Sequence, residues 1–274
     1  ERIKLIYIHR NLPRAKALNL ALDKSSADYS FRFDTRSRFS KDYAENALSI
    51  LGDNNLKISV VGGVPSAVSI SRKFESKICA EIMNSSYLYF FPKHRNFNYC
   101  GYASSIYLGC FTTDALKKIR FNEKEDLLSE DSLIINDFLE KGYKAYLSSK
   151  IKIKYVCRSS FLNILRLFNT YGFCRANTIL VSNKLFISTR HVFVFLALMI
   201  IFFILIKLSI LSLIYFPAVL LFFNFYSEFI FYRKRINLFV PIYGTLCQFS
   251  WIAGFLWSFI SSFRNKQIKS NFIS

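Results

Sequence analysis

The chain has 274 residues, 37 lysines and arginines against 18 acidic residues, a formal charge of +19, 52% hydrophobic and 18% aromatic residues and a mean hydropathy of +0.25. That composition is too apolar for a disordered chain and excludes a collagen-like or low-complexity polymer. The charge divides the chain near His191: residues 1–190 carry 30 basic and 17 acidic groups, and residues 191–274 carry seven basic and one acidic.

Glu1-Arg2-Ile3-Lys4 leads without an initiating Met into an apolar strand at residues 3–8, an opening that reads as a trimmed or partial chain with no signal peptide. Ala15–Leu22 has helical apolar spacing after Pro13, and Tyr29–Phe33 reads as a strand ending at Asp34. Asp42–Leu51 predicts an amphipathic helix, Lys57–Val61 a strand stopped by Gly62-Gly63, and Phe74–Met83 a helix. Gly101–Phe111 is a mixed stretch, followed by helices over Thr113–Ile119 and about Glu130–Lys141, the second stopped by Gly142. Strands at Ala145–Leu147 and Ile151–Val156 follow, then an amphipathic helix over Ser160–Tyr171. Strands alternating with helices define an α/β class with an open sheet, whose ligands sit beyond the carboxyl ends of the strands.

The tail reads as membrane. Val192–Ile206 is uninterruptedly apolar, and after Lys207 the apolar run continues to Tyr226. One helix over that whole stretch would measure about 52 Å against about 30 Å of hydrocarbon, so two short spans turning near Lys207 to Ser209 fit better. A third stretch, Leu238–Ile260, has no charge, and the Arg233-Lys234-Arg235 loop before it is expected on the cytoplasmic side. These features divide the chain into a domain over 1–157, an amphipathic connection over 158–190 and a membrane region of two or three hydrophobic helices over 191–274.

Few residues carry evident chemistry. Asp34, at a strand end, is either one ligand of a divalent ion bridging a diphosphate or the cap of the turn that follows. Glu130-Asp131 either satisfies a helix start or supplies a general base at the sheet rim. Gly62-Gly63 reads as a tight turn, with close approach to a ligand as the lesser reading. The six cysteines show no CxxC or zinc spacing and read as buried thiols, and three scattered histidines do not suggest a metal cluster. The basic surplus, from Lys117, Lys118 and Arg120 through Lys150, Lys152 and Lys154 to Arg158, Arg166 and Arg175, suits anionic lipid headgroups or a lipid diphosphate; no nucleic-acid recognition motif is present, so nucleic acid is not expected as a partner.

ADYSFRFDTRSRFSKDY (27–43), VVGG (60–63), YLGCF (107–111), SEDSLIINDFLEKGYKAYLSS (129–149) and SSFLNILRLFNTYGFCRAN (159–177), in that order before an apolar tail, resemble a membrane-associated family 2 glycosyltransferase, particularly the bacterial succinoglycan-type polysaccharide enzymes. The resemblance implies a GT-A-like open mixed sheet with C-terminal transmembrane helices, a fold whose N-terminal strand region is missing here. It implies inverting transfer of a sugar from a nucleotide-sugar donor to a lipid-linked saccharide acceptor at the cytoplasmic membrane face. Asp34 would then hold Mg²⁺ or Mn²⁺ and the donor diphosphate, and Glu130-Asp131 would be the catalytic acidic pair with Asp131 as base. Arg36 falls where the family's second metal carboxylate stands, and Leu167, Thr170 and Tyr171 fall on its QxxRW-like element. Those departures keep a second expectation open, a non-catalytic relative that docks a partner or anionic lipid.

Overall fold

The structure is a computed structural model describing residues 12–53, 57–123, 130–182, 215–232 and 237–271. These fall into two compact units: residues up to Val68 with Lys93–Val156, and Ser69–Pro92 with the chain from Cys157 onward. Residues 69–92 thus leave the chain-order segment 1–157 and join the helices that follow it.

The first unit is built on two mixed sheets. Strands β1 (Tyr29–Phe31), β3 (Ile58–Gly62), β5 (Gly101–Tyr102), β6 (Cys110–Thr112) and β7 (Lys144–Leu147) form an open sheet in the order β1-β6-β3-β7-β5, with only β3 and β7 parallel. A smaller sheet joins β2 (Ser37–Phe39), β8 (Ile153–Val156) and β4 (Pro65–Val68) in the order β2-β8-β4. The fold is therefore α/β with open mixed sheets, as the alternating pattern implies.

Helices cover both faces of the larger sheet. Val60 and Phe111 pack with Ala15 and Leu22 of α1 (Arg14–Asp23), Leu116 of α4 (Thr113–Ile119) and Phe138 of α5, described over Glu130–Glu140. The alternate residues Val61 and Cys110 pack on the other side with Tyr43, Ala47 and Leu51 of α2 (Tyr43–Leu51). Burial on both faces is why these central strands read as unbroken apolar runs. Helix α5 ends at Glu140, and just beyond it Gly142, with φ of +81°, provides the left-handed residue after the last turn, with Tyr143 N–H donating to Phe138 O at 2.9 Å.

Several elements differ in extent from their sequence pattern. Strand β1 stops at Phe31, two residues short of Phe33, although Arg32 N–H still donates to Gly109 O at 3.1 Å. The last strand starts at Ile153 because Ile151 N–H turns back to Ser148 O, at 3.2 Å. Gly62-Gly63 makes no tight turn: neither residue has positive φ, and the chain passes almost directly from β3 into β4. A Cβ on Gly63 would instead collide with the Ile151 carbonyl, so the glycine is required by close backbone packing.

The second unit is helical: α3 (Phe74–Asn84), a 3₁₀ turn at Ser86–Tyr89, α6 (Phe161–Ser182), α7 (Tyr215–Phe231) and α8 (Phe239–Asn271). Helix α6 runs eleven residues past Tyr171. Gly172 does not end it, because that glycine is where α6 meets α8: a Cβ there would strike the Trp251 carbonyl, and one on Gly254 would strike the Asn169 carbonyl. Among the described residues one helix, Phe239–Ser262, is long and apolar enough to cross a membrane, while Pro217–Phe231 is apolar but shorter. The first apolar stretch, Val192–Ile206, lies outside the described residues.

Candidate functional site

The chemistry gathers beyond the carboxyl end of β1, where Arg32, Phe33 and Asp34 follow the last paired residue. Asp34 starts a turn: its carbonyl accepts from Ser37 N–H and its Oδ1 accepts from Arg36 N–H, each at 2.9 Å. The turn-capping role is thus realised in the structure, and Oδ1 is committed to it while Oδ2 makes no hydrogen bond among the described residues.

Arg32 is the hub. Its guanidinium, only 10% exposed, donates through Nη2 to Glu130 Oε1 at 3.0 Å and through Nη1 to Asp131 Oδ1. Arg14, on the first turn of α1, donates from Nη1 to the same Glu130 oxygen at 2.8 Å. Helix α1 is fixed for this by the buried Asn19, whose Nδ2 donates to Phe121 O at 2.8 Å and whose Oδ1 accepts from Phe121 N–H at 3.0 Å. The tight segment Tyr107-Leu108-Gly109, with φ of +62° at Leu108 and +78° at Gly109, brings Tyr107 to the same place. There its hydroxyl lies 2.9 Å from Ser37 Oγ.

The electrostatics separate the two carboxylates. Burial pushes Glu130 upward, but the Arg14 hydrogen bond and the charges of Arg14 and Arg32 outweigh it and hold the group below the ordinary glutamate range. Asp131 moves the other way: burial raises it, the Glu130 charge adds to that, and Arg32 only partly compensates. Although 41% of the Asp131 side-chain surface meets solvent, the carboxylate sits deep enough among neighbouring atoms for desolvation to dominate. Burial lifts the Tyr107 hydroxyl to about 12, Ser37 opposes the shift, and the charges of Asp34 and Asp131 both reinforce it.

Asp34, Glu130 and Asp131 are brought together, but not as a protein-only metal cage. Among the described residues no group of three His, Cys, Asp or Glu could hold an ion. Glu130 is neutralised by two arginines, and Arg36 offers no oxygen at the second position. The donor set fits a magnesium-type ion only in the mode where one carboxylate, here Asp34 through Oδ2, shares the ion with substrate phosphates and water. Of the cysteines, five are buried as expected and Cys100 is exposed.

Three contributors were not picked out from sequence: Arg14, Arg32 and Tyr107. A charged residue inside the apolar YSFRF run was the available signal, since an arginine at a strand end needs an acidic partner when the site is closed to water.

No known protein family matches the chain, and no curated protein matches it. Among solved structures it is similar to S. aureus TarS 1–349 in complex with UDP, with a TM-score of 0.34 and 13% identity over 92% of this chain and 71% of that one. TarS 1–349 alone gives a TM-score of 0.33 and 14% identity over 92% and 71% of the two chains. Its complex with UDP-GlcNAc gives 0.33 and 14% over 90% and 71%. At that distance no residue role passes from one chain to the other.

Proposed function

We propose that the protein is a nucleotide-sugar-dependent glycosyltransferase acting by inversion on a lipid-linked saccharide at the cytoplasmic face of a membrane. The observation that carries this reading is that Arg32, at the carboxyl end of β1, binds both Glu130 and Asp131, with Arg14 on the same Glu130 oxygen and the Tyr107 hydroxyl on Ser37 of the Asp34 turn. The DTR, YLGCF and SED segments that resemble the family's motifs thus meet at one place.

In this reading Asp131 is the general base. Its Oδ1 is held by Arg32, which fixes the carboxylate's orientation and leaves Oδ2 for the acceptor. The raised affinity of Asp131 for a proton makes it a better base than an ordinary aspartate at neutral pH. The acceptor oxygen forms a bond to the anomeric carbon as its proton passes to Asp131. The bond from that carbon to the diphosphate breaks, and the nucleoside diphosphate leaves with the electron pair. Glu130 holds Arg14 and Arg32 in place, and the two guanidinium groups face the charge that develops on the leaving group. A Mg²⁺ or Mn²⁺ ion shared between Asp34 and the donor phosphates would supply Lewis-acid stabilisation of the departing diphosphate.

A second reading, a non-catalytic binding protein, is favoured by one feature: Arg32 closes on both carboxylates, as in a purely structural ion cluster. Full-length protein in liposomes, screened against a panel of nucleotide-sugars with and without Mg²⁺ or Mn²⁺, separates the two. Sugar transfer that is lost in Asp131→Asn while donor binding persists supports the transferase. A folded wild-type protein silent toward every donor and lipid acceptor supports the binding protein.

A further inference from the structure

Arg175, on α6 of the helical unit, is an enclosed guanidinium like Arg32 but has no acid. It is half-buried, burial holds it below the ordinary arginine range, and no neighbouring charge opposes that shift. It makes no hydrogen bond or ion pair among the described residues. The composition of the unit gives the reason. Residues 69–92 and 157–274 hold 15 lysines and arginines but only three acidic side chains, Glu75, Glu81 and Glu228. Glu75 accepts from Phe161 N–H, Glu81 from Asn237 Nδ2 and Glu228 from Tyr87 Oη, so each is engaged elsewhere. A guanidinium cannot shed its charge by losing a proton, and an enclosed cation is costly until an anion reaches it. The anion for Arg175 therefore comes from outside the unit's own side chains.

The packing of α6 on α8 indicates which anion. The Phe161 and Tyr243 rings lie 4.2 Å apart, Ser250 Oγ donates to Leu165 O at 2.8 Å, and Gly254 lies against the Asn169 carbonyl. These pairs advance together, at offsets of 82 to 85 residues, so the helices run parallel and Arg175 stands level with the turn about Ser258. That turn is near the end of Phe239–Ser262, the apolar helix long enough to cross a membrane. Trp257 and Ile260 in it are 60% and 58% exposed, and Arg264, Lys266 and Lys269 follow in sequence. An exposed tryptophan with basic residues after it marks the end of an apolar span, the level at which lipid phosphates lie. We infer that Arg175 anchors a binding site for the phosphate group of a membrane lipid, beside the last turns of that apolar helix. The planar guanidinium fork suits phosphate oxygens, and the lipid chains would lie along the exposed apolar side of α8. The inference does not rest on sugar transfer, because Arg175 lies outside the Arg32 cluster.

The test follows the melting temperature of the full chain in uncharged detergent micelles while dioleoyl phosphatidic acid is titrated in. Dioleoylglycerol, which has the same chains without phosphate, and inorganic phosphate are titrated in parallel. Saturable stabilisation by phosphatidic acid, about ten- to a hundredfold weaker in Arg175→Gln and partly recovered in Arg175→Lys, supports the inference. Without lipid, Arg175→Gln is expected to melt no lower than wild type, since it removes an unpaired enclosed charge. Arg166→Gln, which removes an exposed arginine of the same helix, should respond as wild type does. An undiminished response in Arg175→Gln overturns the inference, as does an equal loss in Arg166→Gln, which would make the effect one of bulk charge. Equal stabilisation by dioleoylglycerol or by inorganic phosphate also overturns it, assigning the effect to acyl chains or to a soluble anion. Asp131→Asn should keep the full response, so failure of the transferase reading leaves a different signature.

Discussion

Glu130 in the first unit and Glu228 in the second are both buried, at 7% and 3% exposure, yet their surroundings are opposite in kind. Glu130 lies between two guanidinium groups, next to a second carboxylate that keeps contact with solvent. Glu228 has no ion pair among the described residues: it accepts from Tyr87 Oη at 2.9 Å and from Asn237 N–H at 3.3 Å. Near it, Asn224 Nδ2 donates to Thr245 Oγ1 and Gln248 Oε1, both at 2.9 Å, and Gln248 Nε2 donates to Leu88 O at 3.1 Å. Neutral donors enclosed by helices fix a packing arrangement, whereas charged groups of both signs gather at an open strand end. Under the proposed function, acidic residues placed alike in burial serve stability in one unit and chemistry in the other.

The sharpest way to break that contrast is Asp131→Asn. Removing a general base costs about 10²- to 10⁴-fold in turnover. Melting temperature should hold or rise, because an ionised group with a raised proton affinity is destabilising at neutral pH. Steady-state transfer together with thermal unfolding checks both halves. Glu130→Gln should do the reverse to stability, costing about 3 kcal/mol, the lower end for a broken buried pair because Arg32 keeps Asp131. Urea unfolding measures it.

In the helical unit, Gly254→Ala should cost about 1–3 kcal/mol by forcing α8 away from the Asn169 carbonyl, seen as a lower unfolding temperature in detergent. Glu228→Ala strands the Tyr87 hydroxyl and should cost about 1–3 kcal/mol, while Glu228→Gln, which can still accept from Tyr87, should recover most of it without affecting donor binding.

The pH dependence of stability gives the smallest and most discriminating effect. Glu130 has a depressed folded pKa, so its stabilisation is complete above the ordinary glutamate range and is lost as pH falls through the depressed value. Asp131 has a raised one, so stability is lost as pH climbs from the ordinary aspartate range through the raised value. Urea titrations between about pH 3 and 8 should lose the acid-side slope in Glu130→Gln and the alkaline-side slope in Asp131→Asn.

Much of the first unit was legible because local pattern and tertiary context agree there. The helix Thr113–Ile119 coincides with its sequence pattern, and its Asp114 at the start and Lys117-Lys118 at the end complement the helix dipole. Asp34, Glu130 and Asp131 were visible as candidates because acids stand out at element ends. Arg32 was not, since a three-residue strand gives no sign of which face its next residue takes, and its partners lie 98 and 99 residues away. Gly62-Gly63 misled because glycine signals a turn in sequence, whereas at Gly63 the missing Cβ makes room for a backbone carbonyl. The membership of Ser69–Pro92 in the helical unit depends on packing by helices far along the chain, which local periodicity does not report.

The most direct test of the central claim is the pH–rate profile of sugar transfer by the full-length protein in liposomes, read beside the same profile for Asp131→Asn. The wild-type rate should climb with pH along a limb displaced above the ordinary aspartate range, and the variant should bind donor yet lack that limb and nearly all turnover. Transfer by Asp131→Asn at the wild-type rate with an unchanged profile would contradict it.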